Sequence, residues 1–419
     1  MPTHMVRFLY TLLLYLLLPL VPIKLIWRGI RQPEYLRHWG ERFGFFSQPA
    51  KQPLIWLHCV SVGETRAAEP LVRALMAQYP QHHILLTHGT PTGRATGKAL
   101  FGDTVQQAYL PYDLPFAVRR FLRHFQPSIG LIMETELWFN LIAGCRESGI
   151  PLALVNARLS ERSAKGYARL GALVREGLQN LTVISAQTEA DAKRLRLLGK
   201  TQVTVAGNLK YDVRPPEGST ERGAMLREMF DTGKPIFLAA STREGEERRI
   251  LDAVQGLDIL TVIVPRHPQR FNKVSEMIRS RGLSFQRRSQ LTATVPPHTQ
   301  VILGDSLGEM FSYYAACDFT FIGGSLLKFG GQNLIEAAAM GKPIIIGRYT
   351  HNFAEPSKNA VRAGAAIRIK TKEELREQIL YLLHNPAKRE KMQAKALGFS
   401  ESSGGAGKRL LALVTPFIK

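Results

Sequence analysis

Short apolar runs alternate with helix-like segments along most of the chain, and this alternation constrains the fold more than any other feature. One series extends from Leu54 to Gly207, and a second extends from Pro235 to Ile369. Such alternation predicts parallel sheets with helices packed on both faces. The predicted fold class is therefore α/β, with two doubly wound, Rossmann-like domains. Loops at the carboxyl ends of the strands are the expected functional positions.

The two series divide the chain into two domains of similar size, joined by a segment with prolines and a glycine that predicts a linker. Two such domains are expected to leave a cleft between them, and clefts of this kind bind ligands. One predicted arrangement has the last helix fold back and pack on the first domain. The predicted boundaries are a membrane anchor at 1–30, a first domain at 31–211, a linker at 212–234, a second domain at 235–406 and a C-terminal helix at 407–419.

The N-terminal segment contains an uncharged, Leu-rich run from Phe8 to Ile23, with Pro19 and Pro22 near its end. No small-residue cleavage site follows, which argues against a removed signal peptide. Basic residues directly behind an apolar segment stay on the cytoplasmic side and meet anionic lipid. The run therefore predicts an uncleaved membrane anchor, a signal-anchor; the alternative is a buried core helix. Two arrangements of this anchor stay open: it spans the bilayer, or it lies in one leaflet. The basic residues are Lys24, Arg28, Arg31, Arg37 and Arg42.

The net charge of +21 requires an acidic partner, such as nucleic acid, an anionic membrane or an anionic substrate. No recognisable nucleic-acid-binding motif is present, so membrane and substrate are favoured. A long basic helix is predicted from Ser160 to Leu178. Its basic residues have two interpretations: a face exposed to solvent, or a face that binds phosphorylated lipid. Cys59, Cys145 and Cys317 lie far apart in apolar surroundings, which predicts buried free thiols in a reducing compartment.

Ser61-Val62-Gly63-Glu64 lies where the first buried strand turns into a helix. One interpretation makes Glu64 a catalytic base. The other is a capping box, in which Ser61 caps the helix and Glu64 reaches back to the serine N–H. Spacing alone favours the capping box.

Further charged residues follow other strands of the first series. Glu134 and Glu136 are spaced so that both carboxylates point to one side of an extended segment. One of them is a candidate to face Glu64, and the equally weighted alternative is a place in the first turn of the next helix. Lys210 follows the last strand and is a candidate to neutralise a leaving phosphate or a substrate carboxylate. A surface lysine is the alternative.

The second series contains candidate anion and nucleotide ligands. Arg266 and His267 lie between two prolines after a strand, which suits a pre-placed anion ligand. Glycine-bearing turns follow two more strands, one of them at Leu307-Gly308-Glu309. A Gly-Gly pair precedes the helix that contains Glu336, whose carboxylate suits a ribose. These features together predict a nucleotide site, although neither a Rossmann nor a Walker fingerprint is present.

Seven motifs together resemble the 3-deoxy-D-manno-octulosonic acid (Kdo) transferases of Gram-negative bacteria, and the resemblance covers nearly the whole chain. Where that family commonly has His-Asn-Pro-Leu-Glu, this chain has Gln332 through Glu336 without the proline, which loosens the helix start. The motifs are Ser61–Glu64, Thr90–Gly93, Leu110–Asp113, Met133–Trp138, Asn156–Ser160, Pro265–Pro268 and Gly323–Leu326.

The resemblance implies an inverting GT-B glycosyltransferase that moves Kdo from CMP-Kdo to the lipid A precursor, lipid IVA, in lipopolysaccharide biosynthesis. It implies an acceptor-binding first domain, a CMP-sugar-binding second domain, and no metal or other cofactor. It places the catalytic domains on the cytoplasmic side of the bacterial cell inner membrane, in contact with anionic lipids and not with nucleic acid. Glu64 would be the proton acceptor, with Glu134 and Lys210 stabilising the transition state. The implied CMP contacts are Arg266, His267, Leu307, Gly308, Glu309, Asn333, Leu334, Ile335 and Glu336.

Two alternatives stay open from the sequence. One is a GT-B transferase that uses a UDP- or ADP-sugar. The other is a basic membrane protein that binds anionic lipid without turnover, and such a protein has no need of Glu64 or of a nucleotide domain.

Overall fold

The computed structural model describes residues 3–200, 202–213 and 215–418. The chain forms two compact units, one made of Met1–Asp212 with Gly404–Lys419 and the other of Val213–Ser403. Some residues of the predicted segments lie outside the described ones. These are Met1 and Pro2 of the predicted anchor, Thr201 of the first domain, Arg214 of the linker and Lys419 of the C-terminal helix.

The described part of the first unit contains a parallel sheet in the order β3-β2-β1-β4-β5-β6-β7. The strands are β1 (Leu54–Cys59), β2 (His83–His88), β3 (Gln106–Tyr109), β4 (Ile129–Met133), β5 (Leu152–Ala157), β6 (Val183–Ala186) and β7 (Thr204–Val205). The helices are α1 (Thr3–Leu17), α2 (Leu20–Arg31), α3 (Val62–Gln78), α4 (Pro91–Phe101), α5 (Pro115–Phe125), α6 (Phe139–Glu147), α7 (Glu161–Ala168), α8 (Ala172–Asn180) and α9 (Glu189–Leu197).

Apolar residues on both faces of β1 explain why helices cover both sides of this sheet. Trp56 packs edge-on against Phe121 of α5 at a centroid distance of 4.9 Å, and its indole N–H donates to Thr87 Oγ1 at 2.7 Å. Leu57 points to the opposite face, into a core that includes Leu71 of α3. The strand order reverses between β1 and β4, so a crevice at their carboxyl ends is the expected ligand position. The predicted doubly wound α/β class is confirmed.

The second unit repeats this architecture with a parallel sheet in the order β10-β11-β9-β8-β12-β13-β14. Its strands are β8 (Ile236–Thr242), β9 (Leu260–Pro265), β10 (Phe285–Arg287), β11 (Val301–Leu303), β12 (Phe319–Ile322), β13 (Ile344–Ile346) and β14 (Ala366–Arg368). Its helices are α10 (Ser219–Met229), α11 (Glu246–Val254), α12 (Phe271–Ser280), α13 (Met310–Ala316), α14 (Ile335–Ala339), α15 (Ala354–Ala363), α16 (Lys372–His384) and α17 (Pro386–Ser403).

Two predicted continuous segments are broken in the structure. The apolar run Phe8–Ile23 is shared by α1 and α2, which bend by 53° where Pro19 removes a backbone donor. No single described helix meets the length and apolarity expected of a membrane span; that bent pair meets them only when taken together. The predicted helix Ser160–Leu178 is instead α7 and α8, because Gly171 between them has φ of +44°.

The segments at the predicted domain borders have specific packing partners. Within 212–234, α10 packs on α13, and Gly223 allows the close approach of Ala315. The last helix, α18 (Ala406–Val414), lies in the first unit. There the Asp212 carboxylate accepts hydrogen bonds from the backbone N–H groups of Ala406 and Gly407. The three cysteines are buried and free, as expected.

Gly130 of β4 offers a test of this packing. A Cβ at Gly130 would lie 2.6 Å from the ring of Trp56 and 2.6 Å from Leu152, so Gly130→Ala is expected to destabilise the protein by about 1–3 kcal/mol through overpacking. The matched control is Gly166→Ala in α7, where nothing lies within 4 Å of the added methyl and a gain of about 0.5–1 kcal/mol is expected. Urea unfolding measures both, and equal effects would contradict the assignment of Gly130 to a closely packed sheet.

Candidate active site

Glu64 lies in the first turn of α3, directly after β1. Its backbone N–H donates to Ser61 Oγ at 3.4 Å, and its Oε1 accepts a hydrogen bond from the same hydroxyl at 2.9 Å. Its other oxygen, Oε2, accepts from Val60 N–H at 2.8 Å, whereas the capping-box interpretation expected the N–H of Ser61. Ser61 therefore caps the helix, and the Glu64 carboxylate is held in place by donors on the preceding turn.

The electrostatic environment of Glu64 favours its protonated form more than a solvated glutamate would. The side chain is buried, and this burial is the main reason that the pKa of Glu64 is raised. Hydrogen bonds from Val60 and Ser61 oppose the rise, the charge of Glu134 adds to it, and Lys210 opposes it. A carboxylate with a raised pKa is a stronger base, which suits proton abstraction near neutral pH.

Glu134 and Lys210 form an ion pair near Glu64, with 3.2 Å between Lys210 Nζ and Glu134 Oε1. Glu134 follows β4 with φ of +57°, a left-handed conformation that costs free energy in a residue with a side chain and is concentrated at functional sites. Lys210 follows β7, and its backbone N–H donates to Asn208 Oδ1 at 2.9 Å. The parallel sheet thus brings together three residues that are far apart in sequence.

Glu136 is a further carboxylate of this group and was absent from the predicted catalytic set. Burial, followed by the charges of Glu64 and Glu134, raises the pKa of Glu136 to about 7. Tyr167 of α7 is close enough that the Glu136 charge contributes to the raised pKa of its phenol, after burial. The spacing of Glu134 and Glu136 was the sequence signal for this group. The ion pair with Lys210, which Glu134 makes, is a product of the fold.

In the second unit, Arg266 and His267 follow β9 in an exposed cationic cluster. The backbone N–H of Arg266 donates to Thr242 O at 3.0 Å, which fixes the turn against the end of β8. His267 Nε2 lies 2.6 Å from Arg243 Nη1. Partial burial, followed by the charges of Arg243, Arg266 and Arg270, lowers the pKa of His267. The guanidinium groups around this turn can therefore attract an anion without a positive charge on the His267 imidazole.

The predicted residues after β11 form a turn with one exposed side and one ion pair. Leu307 is 75% exposed, and Gly308 has φ of +79°. Glu309 Oε1 lies 3.0 Å from Arg288 Nη2. Leu307 and the Gly308 backbone are therefore accessible to a ligand, whereas the Glu309 carboxylate already has a cation beside it.

The predicted residues before and within α14 divide into accessible and buried groups. Asn333 Nδ2 donates to Glu336 Oε1 at 3.0 Å, and Asn333 Oδ1 accepts from Ile335 N–H at 3.1 Å. The side chains of Leu334 and Ile335 are buried in the core, so only their backbone can serve a ligand. Asn333 therefore orients Glu336 and holds the backbone N–H of Ile335 at the start of the helix.

Two family models match the chain. Residues 37–213 match the model described as 3-Deoxy-D-manno-octulosonic-acid transferase (kdotransferase), and residues 284–398 match glycosyl transferases group 1. A 3-deoxy-D-manno-octulosonic acid transferase of Bordetella pertussis is 42% identical over 97% of this chain and 98% of its own length. The corresponding protein of Haemophilus influenzae is 38% identical over 99% of both chains. The chain belongs to the Kdo transferases.

This Kdo transferase is a glycosyltransferase, which decides against the interpretation as a binding protein without turnover. Its fold also resembles that of MurG from Acinetobacter baumannii, with a TM-score of 0.56 at 13% identity over 87% of this chain and 100% of that one. A UDP-GlcNAc 2-epimerase from Neisseria meningitidis gives a TM-score of 0.57 at 16% identity, with coverage of 87% and 100%. These similarities identify the fold as GT-B.

The half-buried carboxyl of Glu136 predicts a pH-dependent stability of this Kdo transferase. Because the folded-state pKa is raised to about 7, Glu136 contributes stability that is fully present below its unfolded pKa and is lost as the pH rises through 7. Glu136→Gln is therefore expected to match the wild type near pH 4, below the ordinary pKa of a glutamate, and to be more stable by about 1–2 kcal/mol near pH 8, after allowance for partial exposure.

Thermal unfolding across this pH range measures the effect, with exposed Glu161→Gln in α7 as the control. A stability difference between Glu136→Gln and the wild type that does not change with pH would contradict the raised pKa.

Proposed function

We propose that this Kdo transferase moves Kdo from CMP-Kdo to a hydroxyl of the lipid A precursor, lipid IVA, in lipopolysaccharide synthesis, with inversion at the anomeric carbon and Glu64 as the general base. One observation carries the proposal. The Glu64 carboxylate is buried and has a raised pKa, yet it is held by two hydrogen bonds beside the Lys210–Glu134 ion pair. A fixed carboxylate with a raised pKa suits proton abstraction from a sugar hydroxyl, and the nearby cation suits the negative charge of the leaving group.

In the proposed reaction, the acceptor hydroxyl oxygen attacks the anomeric carbon of Kdo. The new C–O bond forms while the bond from that carbon to the CMP phosphate oxygen breaks, and CMP leaves with the electron pair. Glu64 takes the hydroxyl proton as attack proceeds. Attack from the face opposite the leaving group inverts the configuration. Hydrogen bonds from Val60 and Ser61 hold the carboxylate for this step and reduce the ordering required in the transition state.

Lys210 and Glu134 have complementary proposed roles. The Lys210 ammonium compensates the negative charge that accumulates as the phosphate leaves and as the Kdo carboxylate binds. Glu134 orients that ammonium through the 3.2 Å ion pair, and the left-handed backbone of Glu134 directs its side chain. Both groups come from backbone segments with local hydrogen bonds, which supports a preorganised role.

The CMP moiety of the donor is proposed to bind the second unit. Arg266, together with the neighbouring Arg243, offers guanidinium groups to the phosphate and to the Kdo carboxylate. Glu336, oriented by Asn333, accepts hydroxyl groups of the ribose. Leu307 and the backbone of Gly308 border the base.

The proposed place of action is the cytoplasmic face of the inner membrane. The acceptor is a lipid, and the chain carries a net charge of +21 that suits anionic headgroups. Large apolar side chains on α1 and α2 are exposed, among them Phe8, Leu16, Ile23 and Ile30. An apolar surface of this kind is characteristic of a membrane contact.

Glu64→Gln tests the general base. The amide keeps the side-chain volume; its oxygen can accept from Val60 N–H and its NH2 group can donate to Ser61 Oγ, so stability is expected to change little. The rate of Kdo transfer is expected to fall by about 10²–10⁴-fold, because the amide takes no proton. Mass spectrometry of lipid IVA incubated with CMP-Kdo measures the transfer. In the wild type the rate is expected to fall as the pH decreases through the raised pKa of Glu64.

The matched control is Glu69→Gln on the same helix, where the carboxylate pairs with exposed Arg73 at 2.8 Å. This variant is expected to transfer Kdo at the wild-type rate. A Glu64→Gln enzyme that folds normally and retains the wild-type rate would rule out Glu64 as the base.

Nucleotide titration tests the donor and separates CMP-Kdo from a UDP- or ADP-sugar. CMP is expected to raise the melting temperature of the wild type more than UDP or ADP does, because bound nucleotide stabilises only the folded state. Arg266→Ala is expected to lose at least half of the CMP-dependent shift. Arg362→Ala, an exposed arginine of α15, is the control and is expected to retain it. A larger shift with UDP or ADP than with CMP would overturn the proposed donor.

A further inference from the structure

The first helix, α1, has two different faces. One face carries partly buried side chains that turn toward the first unit, among them Val6, Arg7, Tyr10 and Thr11. The opposite face is apolar and exposed along its whole described length. Its side chains are Met5, Phe8, Leu9, Leu12, Leu13, Leu16 and Leu17.

Polar and aromatic contacts fasten the inward face of α1 to the first unit; we call this set of contacts the α1 seam. Tyr10 Oη donates to Asp113 Oδ2 at 2.8 Å, and Thr11 Oγ1 donates to Asn140 Oδ1 at 3.0 Å. Arg7 pairs with Glu147 at 3.2 Å. The Tyr10 ring also packs edge-on against Phe139, with 5.3 Å between centroids.

The seam runs along the helix and is not a single point of attachment. Its contacts extend from Arg7 to Tyr15, whose ring lies 6.4 Å from that of Phe116. At 1.5 Å per residue this is about 12 Å of helix lying against the folded unit. A helix held over that length cannot tilt away from the unit without losing contacts at one end of the seam or the other.

Asp113 makes the seam costly to open. Its side chain is only 4% exposed, and its carboxylate accepts backbone N–H groups of Asn140 at 3.0 Å and of Leu141 at 2.7 Å in addition to the Tyr10 hydroxyl. Removal of Tyr10 would take away one donor and expose Asp113 to whatever replaced α1. Opening of the seam would therefore leave this buried carboxylate without one of its three hydrogen-bond donors.

We propose that α1 and α2 lie in the plane of one anionic leaflet, with the apolar face of α1 in the lipid and the α1 seam closed, and that α1 does not cross the bilayer. This inference rests on the proposed action at a membrane and adds its geometry. A crossing α1 would either break the seam or carry Asp113, Glu147 and the attached unit into hydrocarbon. When α1 lies in the membrane plane, its apolar face contacts lipid while its inward face keeps the contacts of the seam. Interfacial amphipathic helices bind membranes in this way.

The charges near the apolar face identify the leaflet as anionic. No acidic residue precedes Glu34 in the sequence. Lys24, Arg28 and Arg31 lie on α2, and the Arg31 guanidinium lies 4.9 Å from the centre of the Trp27 ring, which is 57% exposed. Cations beside an exposed tryptophan are typical of the headgroup level of a membrane.

The seam also ties the lipid contact to the candidate active site. Asn140, one of its partners, lies in the first turn of α6, and α6 follows directly the segment that carries Glu134 and Glu136. The leaflet that receives α1 is therefore beside the edge of the sheet at which Glu64 lies. A lipid acceptor in that same leaflet can present its sugar to Glu64 without leaving the membrane plane.

A cross-link across the seam tests the inference. In an Arg7→Cys/Glu147→Cys protein, a short bismaleimide joins α1 to α6, and the native cysteines are buried and free. The cross-linked protein is expected to float with phosphatidylglycerol vesicles and to transfer Kdo to vesicle-borne lipid IVA within 2-fold of the uncross-linked protein. Flotation with purely phosphatidylcholine vesicles is expected to be at least 5-fold weaker. The two single-cysteine proteins treated with the same reagent are the controls.

A cysteine added ahead of Met1 supplies an independent readout. In vesicles to which the protein is added from outside, an impermeant maleimide is expected to label this cysteine as completely as it labels one at Gln48. Protection of the N-terminal cysteine, or loss of flotation and vesicle transfer on cross-linking, would overturn the in-plane arrangement. If the protein instead forms dimers that bury α1 and do not float with vesicles, the apolar face of α1 binds a second copy of the chain, and the in-plane arrangement is wrong.

Transfer to lipid IVA in detergent micelles separates the two levels of the proposal. Absence of micellar transfer in a folded wild-type protein would contradict the proposed function whatever the position of α1. Normal micellar transfer, combined with failure of the cross-linked protein on vesicles, would contradict only the in-plane arrangement.

Discussion

The burial of the Glu64 carboxylate at the start of α3 is the interaction on which the candidate site depends. A carboxylate removed from water needs hydrogen-bond donors, and Val60 N–H and Ser61 Oγ supply them. Those donors exist only because β1 ends there and turns into a capped helix. The same geometry holds the base and raises its pKa, so the structural and the chemical roles of Ser61 and Glu64 are two aspects of one arrangement. Neither interpretation of the sequence motif excludes the other.

The parallel sheet then determines which charges Glu64 meets. Because β1 pairs with β4, the segment after β4 emerges at the same edge, and this places Glu134 and Glu136 near Glu64. Lys210 arrives at this edge after β7 and balances one of the acids. Two carboxyls in one sequence motif therefore have different environments. Glu134 has a cation at 3.2 Å, whereas Glu136 is half-buried with like charges as its neighbours.

Much of the molecule was predictable from its sequence. The alternation of apolar runs and helices predicted the doubly wound class, and the three cysteines are buried and free as expected. The motifs also led to the family that the comparisons identify. Predicted segment lengths were wrong where one residue interrupts a pattern, as Gly171 does between α7 and α8. The capping-box interpretation predicted that the Glu64 carboxylate accepts a hydrogen bond from the N–H of Ser61. In the structure it accepts from the N–H of Val60, because the conformation of the turn between β1 and α3 decides which N–H faces the carboxylate.

By itself, the sequence determined the fold class, the edge of the first sheet at which Glu64, Glu134 and Lys210 would gather, and the apolar character of the N-terminus. These properties follow from hydrophobic periodicity and from the rule that parallel strands end at one edge. Only the tertiary structure decided the pKa directions and the pairing of Lys210 with Glu134, because both depend on burial and on distances between remote segments. It also decided that one face of α1 is fastened to Asp113 and Asn140. Hydropathy measures how apolar a segment is, but it carries no information on which face another part of the chain will cover.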